Sequence, residues 1–423
     1  MVIEREVSPE RALLVGLYRA GERRESCEEH IHELERLCDT YGISVVGQAA
    51  CPLRKVDVGT LLGRGKIEEL IEEADRLKAD TIIFDDALSP SQQRNLERLF
   101  KRNVLERTEI ILGVFSMHAH SREAKLQVEL AQIDYQFPRL KRLWTHLARQ
   151  RGGSQFLKGE GETQMELDRR MLRHRRTQLI RELESVSAHR ERLRGRRSRT
   201  GLPTFAIVGY TNAGKSTLLN ALTEAGVLAE DRLFATLDTT TRKYQLPNNQ
   251  EVLLIDTVGF IRKIPHTLVD AFHSTLEEAI YADILLHLID ASHPNALEQA
   301  QTAKEVLAEL GAADKPTLTL LNKIDQIEDR GQVQRLRLGH EKSVLLSAQT
   351  GEGFDHLLER MEGELDALRR TMKLRIPQSE YGAVSQLLRR GKVYYQEYEG
   401  NEIVVRADVP LELVEKFSVY LTD

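Results

Sequence analysis

TFAIVGYTNAGKSTLLN, residues 204–220, sets a short apolar run, a glycine-rich turn and the first turns of a helix in immediate succession. Gly209, Tyr210, Thr211, Asn212, Ala213, Gly214, Lys215 and Ser216 satisfy the pattern GxxxxGK[ST], with Thr217 following inside the helix. Such a loop lets backbone N–H groups curl around a β-phosphate, and the helix N-terminus adds partial positive charge. In that reading Lys215 reaches the β/γ oxygens and Ser216 offers its hydroxyl to Mg²⁺. A strand before the loop and a helix after it is the context that separates a phosphate site from a chance string.

Downstream, the apolar runs VLLIDT, ILLHLID, TLTLLN and SVLLSA are each followed by a helix or loop. Alternation of this kind predicts a doubly wound α/β domain whose ligand groups lie at the strand ends. Asp256, Thr257, Val258 and Gly259 follow one strand, where the carboxylate can hold magnesium through its water shell and Gly259 lets its amide approach the γ-phosphate. Asn322, Lys323, Ile324 and Asp325 follow another. There Asp325 can accept from guanine N1–H and the exocyclic amine, a donor pair adenine lacks, so a buried unpaired carboxylate is expected to penalise ATP. Lys323 is expected along the base, Asn322 between this loop and the phosphate loop, and the Ala348 amide of Ser347-Ala348-Gln349 on guanine O6. One threonine of Phe234-Ala235-Thr236-Leu237-Asp238-Thr239-Thr240-Thr241 should ligate Mg²⁺ and sense the γ-phosphate, and spacing alone does not say which.

Upstream, residues 1–137 alternate RALLVGL, ISVVGQ, DTIIFDD and TEIILGVF with amphipathic segments, the strand–helix order of a parallel α/β domain. Ser89 and Pro90 read as cap and first-turn residue of a helix. Gly63-Arg64-Gly65-Lys66 lacks the spacing of a nucleotide fingerprint, and a connecting turn is the preferred reading. In residues 138–200, Gly152, Gly153, Gly159 and Gly161 interrupt a basic region, and Met165, Leu172, Leu179, Val186 and Leu193 recur every seven residues. This predicts a helical hairpin with a glycine-rich tip. Beyond the nucleotide domain at 201–370, KVYYQEYEG and EIVVRADVP read as two strands of a small α+β domain, 371–423.

The 423 residues carry a net charge of -5, unevenly placed: Arg139 to Arg199 holds 18 Lys/Arg and 7 Asp/Glu, or +11, leaving -16 elsewhere. A phosphate-bearing partner would meet a positive stripe on an acidic protein. The beginning of the chain lacks the pattern of a signal peptide, no stretch has the apolar length of a membrane span, and three cysteines form no metal or disulfide framework. A cytoplasmic location follows as the expectation.

Taken together, GYTNAGKSTLLN, LFATLD, DTVGF, NKID and SAQ resemble the HflX family of Obg-related GTPases. GEGETQMELDRR resembles that family's glycine-rich GPGETQLExDRR stretch, with Gly159-Glu160-Gly161-Glu162 departing from it, and GRGKIEEL resembles its N-terminal domain. The resemblance implies that Thr236 is the switch ligand of Mg²⁺, so that Lys215, Thr236 and Gly259 stand at the reacting phosphate. It further implies a monomer that binds the large ribosomal subunit, reaching ribosomal RNA through residues 139–199 without membrane insertion, and that splits or rescues ribosomes under stress. Assembly of an immature subunit, or a nucleotide-gated RNA switch, are the alternatives. Asn212 occupies a position that binds K⁺ in some related GTPases, although plain stabilisation of the loop is preferred. Phe260 replaces the glutamine that orients water in many regulatory GTPases, so slow intrinsic turnover is expected.

Overall fold

The computed structural model describes residues 11–140, 166–186, 202–223, 233–234, 239–263, 277–327, 330–340 and 342–422. The chain forms two compact units: residues 1–185 with 230–238 and 263–273, and residues 186–229 with 239–262 and 274–423.

In the first unit, β1 (Arg11–Arg19), β2 (Ser44–Leu53), β3 (Thr81–Phe84) and β4 (Asn103–Glu106) form a sheet ordered β2-β1-β3-β4, parallel throughout. Leu13, Val15, Ile82 and Phe84 fill its core. Ser89 accepts from the Gln92 amide and Gln92 returns a bond to Ser89, a closed capping box with Pro90 in the first turn. The helix Arg64–Leu77 starts at the Gly63–Lys66 segment, where Arg64 and Lys66 are paired to Glu68 and Glu69. That agrees with the connecting-turn reading.

The run TEIILGVF is not a strand. It lies in the helix Arg107–His118, and the strand is the preceding Asn103–Glu106. Residues 110–115 of this helix are all buried, so no polar stripe marks its period, and an apolar run of that length reads equally as a buried strand. A second helix, residues 166–186, buries Leu179 and half-buries Leu172 and Val186, an inward row at the seven-residue spacing. It is joined to the helix Arg122–Gln136 by Arg175 to Glu129 at 2.7 Å and Arg176 to Asp134 at 2.6 Å. The expected tip, with Met165 and Leu193, lies outside the described residues.

In the second unit, β5 (Thr204–Gly209), β6 (Thr240–Gln245), β7 (Glu251–Asp256), β8 (Ile284–Asp290), β9 (Thr317–Asn322) and β10 (Ser343–Leu345) make a sheet ordered β10-β9-β8-β5-β7-β6. Five strands are parallel and buried, whereas β6 runs antiparallel at the edge. Its sequence, TTRKYQ, is polar because one side faces solvent, so it carries no apolar run for a sequence reading to find. The C-terminal segment forms an antiparallel sheet, β11-β13-β12, from β11 (Arg369–Pro377), β12 (Lys392–Glu399) and β13 (Glu402–Pro410). Helices Tyr381–Arg390 and Leu411–Phe417 contribute Val384, Leu387, Leu413 and Phe417 to its core. The alternating β11 adds a third strand to the two expected. Among the described residues, no helix is long and apolar enough to cross a membrane.

Candidate functional site

β5 ends at Gly209, whose φ of +151 lies in a region few side chains tolerate, and a Cβ there would fall 2.2 Å from the Leu288 carbonyl oxygen. The loop then passes Asn212 at φ +59 and enters the helix Lys215–Thr223. Asparagine is among the few residues at ease in the left-handed region, so backbone conformation by itself accounts for Asn212. The N–H groups of Lys215, Ser216 and Thr217 lie in the first helical turn, which has no carbonyl one turn back to bond. Thr211 and Ala213 are differently placed: their N–H groups donate to the carbonyls of Phe260 (2.7 Å) and Tyr210 (3.3 Å). The Thr211 Oγ1 is buried with no partner among the described residues.

The Lys215 ammonium is buried and donates to the Tyr210 carbonyl at 2.9 Å. Burial pushes its pKa down to about 8, and the nearby Asp256 carboxylate offsets only part of that shift. A cation held this way is pre-placed for an anion that would restore its charge. Gly259 closes over it, because a Cβ at this position would sit 2.8 Å from the Lys215 nitrogen and 2.9 Å from the Thr211 Cα. The phosphate loop and the DTVGF segment are also zipped together, Phe260 N–H donating to the Gly209 carbonyl at 3.0 Å. Phe260 itself is 1% exposed, so its ring is core rather than cleft.

The fold class implies a magnesium ion, and the side chains present fit one. Ser216 Oγ donates to Asp256 Oδ2 at 2.6 Å, and Asp256 is fully buried at the end of β7. Hydroxyl and carboxylate oxygens converging beside a phosphate cradle are the hard donors Mg²⁺ takes. Thr257, by contrast, donates its hydroxyl to the Ile207 carbonyl at 2.7 Å and ties β7 to β5, while Val258 is buried.

On the base side, Asn322 at the end of β9 is buried, its Nδ2 donating to the Ala213 carbonyl at 2.7 Å and its Oδ1 accepting from the Ala348 N–H at 2.8 Å. One carboxamide thus joins the phosphate loop, the NKID loop and the SAQ loop. Without nucleotide the Ala348 amide, expected on guanine O6, is held by the Asn322 carboxamide. Asp325 also departs from expectation, lying exposed in the turn Ile324–Gln326, so its desolvation would come only with a base laid over it. Ser347 is buried and accepts from the Thr350 N–H at 3.2 Å, with Gln349 exposed beside Ala348.

Two features were not read from the sequence. Lys323, at φ +62, pairs with Asp290 Oδ2 at 2.7 Å, and Ser292 donates to the other oxygen of the same carboxylate at 2.5 Å. Asp290 ends β8, and its place at a strand terminus was the available signal. The second is Phe234, expected at the nucleotide. It belongs to the first unit, at φ +60, with its ring edge-on to Phe115 at 4.4 Å between centroids. Ala235, Thr236, Leu237 and Asp238 lie outside the described residues.

A glycine cradle closed on a buried lysine, a serine–aspartate oxygen pair and a base loop tethered to both define a phosphate-loop GTPase, an enzyme that hydrolyses GTP. Family models agree: residues 204–323 match "50S ribosome-binding GTPase", residues 28–116 "GTP-binding GTPase N-terminal" and residues 118–197 "GTP-binding GTPase Middle Region". The chain is 46% identical over 422 residues to a GTPase HflX of Chlamydia pneumoniae, covering 99% of this chain and 89% of the relative. It is 44% identical to one from Lacrimispora saccharolytica, covering 97% and 96%. The chain belongs to the HflX family of ribosome-associated GTPases. Among solved structures, SsGBP in complex with GDP is 28% identical, with 84% of this chain and 98% of that one covered, and a TM-score of 0.47.

Proposed function

We propose that the protein docks on the large ribosomal subunit in its GTP form and couples hydrolysis to the splitting or rescue of stalled ribosomes. In this reading residues 201–370 hold the nucleotide, the basic region 138–200 meets ribosomal RNA, and residues 1–137 and 371–423 flank them. RNA would be met through phosphates and shape, which suit an arginine-rich hairpin.

Within the site, Lys215 and the first-turn amides of its helix bind the β/γ oxygens, and Gly259 brings its amide to the γ-phosphate. Ser216, Thr236 and, through water, Asp256 would hold Mg²⁺, which neutralises charge on the phosphate oxygens when bound. Asp325 reads the guanine edge, and Lys323, positioned by Asp290, lies along the base.

The observation that carries the coupling is Phe260: its ring is buried and its peptide is zipped to Gly209 and Thr211. No hydrogen-bonding side chain is available at that position to orient the attacking water, which leaves the partner to complete the site. Turnover on large subunits is therefore expected to exceed turnover alone by at least tenfold. Equal rates with and without subunits would refute the coupling. Sucrose-gradient profiles with GDP, GTP and a non-hydrolysable analogue test the outcome directly. Splitting of mature ribosomes with GTP is expected, whereas exclusive association with precursor particles would point to assembly instead.

A further inference from the structure

A cleft of about 490 Å³ opens in the second unit between the β6–β7 hairpin and the start of the C-terminal sheet. None of its lining residues belongs to the phosphate loop, the DTVG segment or the NKID loop. Four cations line it, Lys243, Arg369, Arg390 and Lys392, against one carboxylate, Glu251. Lys243 approaches that carboxylate at 3.5 Å, and Asp366 and Asp408 lie near Arg369, so the lining is cation-rich with acids close behind it. A cation-rich concavity favours a ligand of opposite sign.

Arg369 is the informative member. It is half-buried, donates to Gln250 Oε1 at 3.1 Å, and has its pKa lowered by desolvation despite Asp366 and Asp408 nearby. The Gln250 Nε2 is buried and has no hydrogen-bond partner among the described residues. A half-buried guanidinium and an unpartnered buried amide nitrogen at one cleft are groups a polar ligand would satisfy. The lining also includes the apolar side chains of Leu202, Pro203 and Leu388. Cations for a phosphate, an amide for a polar edge and apolar side chains for a flat ring together match one ligand chemistry. The volume falls within the roughly 300–1,000 Å³ typical of small-ligand pockets.

We infer that this cleft binds a nucleoside phosphate at a site separate from the GTP site, taken either as a free nucleotide or as one residue of a single-stranded RNA. Phosphate oxygens lie toward Lys243, Arg390 and Lys392, Arg369 and Gln250 meet polar atoms deeper in, and the ring lies against Leu202 and Pro203.

The test uses the full chain with its GTP site filled by GDP, titrated calorimetrically with UDP and, separately, with hexauridylate. The expected result is saturable one-to-one binding, weakened at least tenfold by the paired substitutions Lys243→Gln and Lys392→Gln. Both lysines are on the surface and outside the GTP site, so thermal unfolding and basal GTP hydrolysis of this variant are expected to match the parent. UDP binding with no tighter binding of hexauridylate identifies a free nucleotide. Hexauridylate binding at least tenfold tighter, and competing with UDP, identifies an RNA strand. No saturable binding of either probe at millimolar concentration overturns the inference. So does binding that the variant leaves unchanged, because RNA held by the basic stripe at residues 139–199 would behave that way.

Discussion

At the scale of single residues, recognition and charge are carried by a few side chains with separable signatures. Asp325→Asn exchanges an acceptor for a donor on the guanine edge. It should lower GDP affinity by roughly a hundredfold or more and raise that for XDP, measured by competition. Retained tight GDP binding would contradict the assignment. Lys215 has a second signature, because its pKa in the apo protein is about 8 and polyphosphate should return it toward ordinary lysine values. GDP binding at pH 8.5 should then take up about half a proton or more, falling to none below pH 7. Calorimetry in two buffers of different ionisation enthalpy reads that number, and zero uptake at pH 8.5 would count against the lysine–phosphate contact. The residues behind these predictions were legible in the sequence because each ligand contact demands a particular residue type at a strand end. Asp290 was not, because an acid pairing to Lys323 obeys no fixed spacing. The Asn322 partner of the Ala348 amide was not legible for a related reason: which acceptor an amide chooses is a matter of tertiary geometry.

At the scale of elements, legibility followed burial. Strands covered on both faces, such as TFAIVG and ILLHLID, announce themselves as apolar runs, and all of those in the nucleotide domain are strands. The exposed edge strand TTRKYQ has no such pattern, and the fully buried helix containing TEIILGVF has the pattern of a strand. β8 carries a histidine inside its apolar run. His287 is 1% exposed, faces the His340 ring edge-on at 6.3 Å, and its Nε2 has no hydrogen-bond partner among the described residues. Burial, reinforced by His340 and Lys304, lowers its pKa from 6.5 to about 3. A base whose folded pKa is depressed supports the fold above its unfolded pKa, and that support is lost as pH falls from 6.5 toward 3. The loss from this residue should be about 2 kcal/mol at pH 5. His287→Leu is expected to flatten the fall in urea midpoint between pH 7 and 5, and an unchanged slope would show that other groups control it.

At the scale of the whole molecule, the charge map and the division of the chain bear on function together. If the proposed contact through Arg139 to Arg199 holds, its excess of +11 should make subunit binding sensitive to ionic strength. Affinity for large subunits should fall at least tenfold between 50 and 200 mM salt, as displaced counterions lose their advantage. Salt-independent sedimentation would remove the stripe from the interface. The compact division was less visible in the sequence than the motifs. Leu233, Phe234 and Lys263 group with the N-terminal unit although they lie between the nucleotide motifs, and contiguous reading has no signal for that. The Asn322 carboxamide has the reverse property, making one object of three separate loops. It acts as a caliper whose jaws are set before anything is gripped. Guanosine and pyrophosphate tested as separate fragments should therefore each bind feebly, while the joined molecule gains far more than the sum, and shortening that one side chain to alanine should erase most of the surplus.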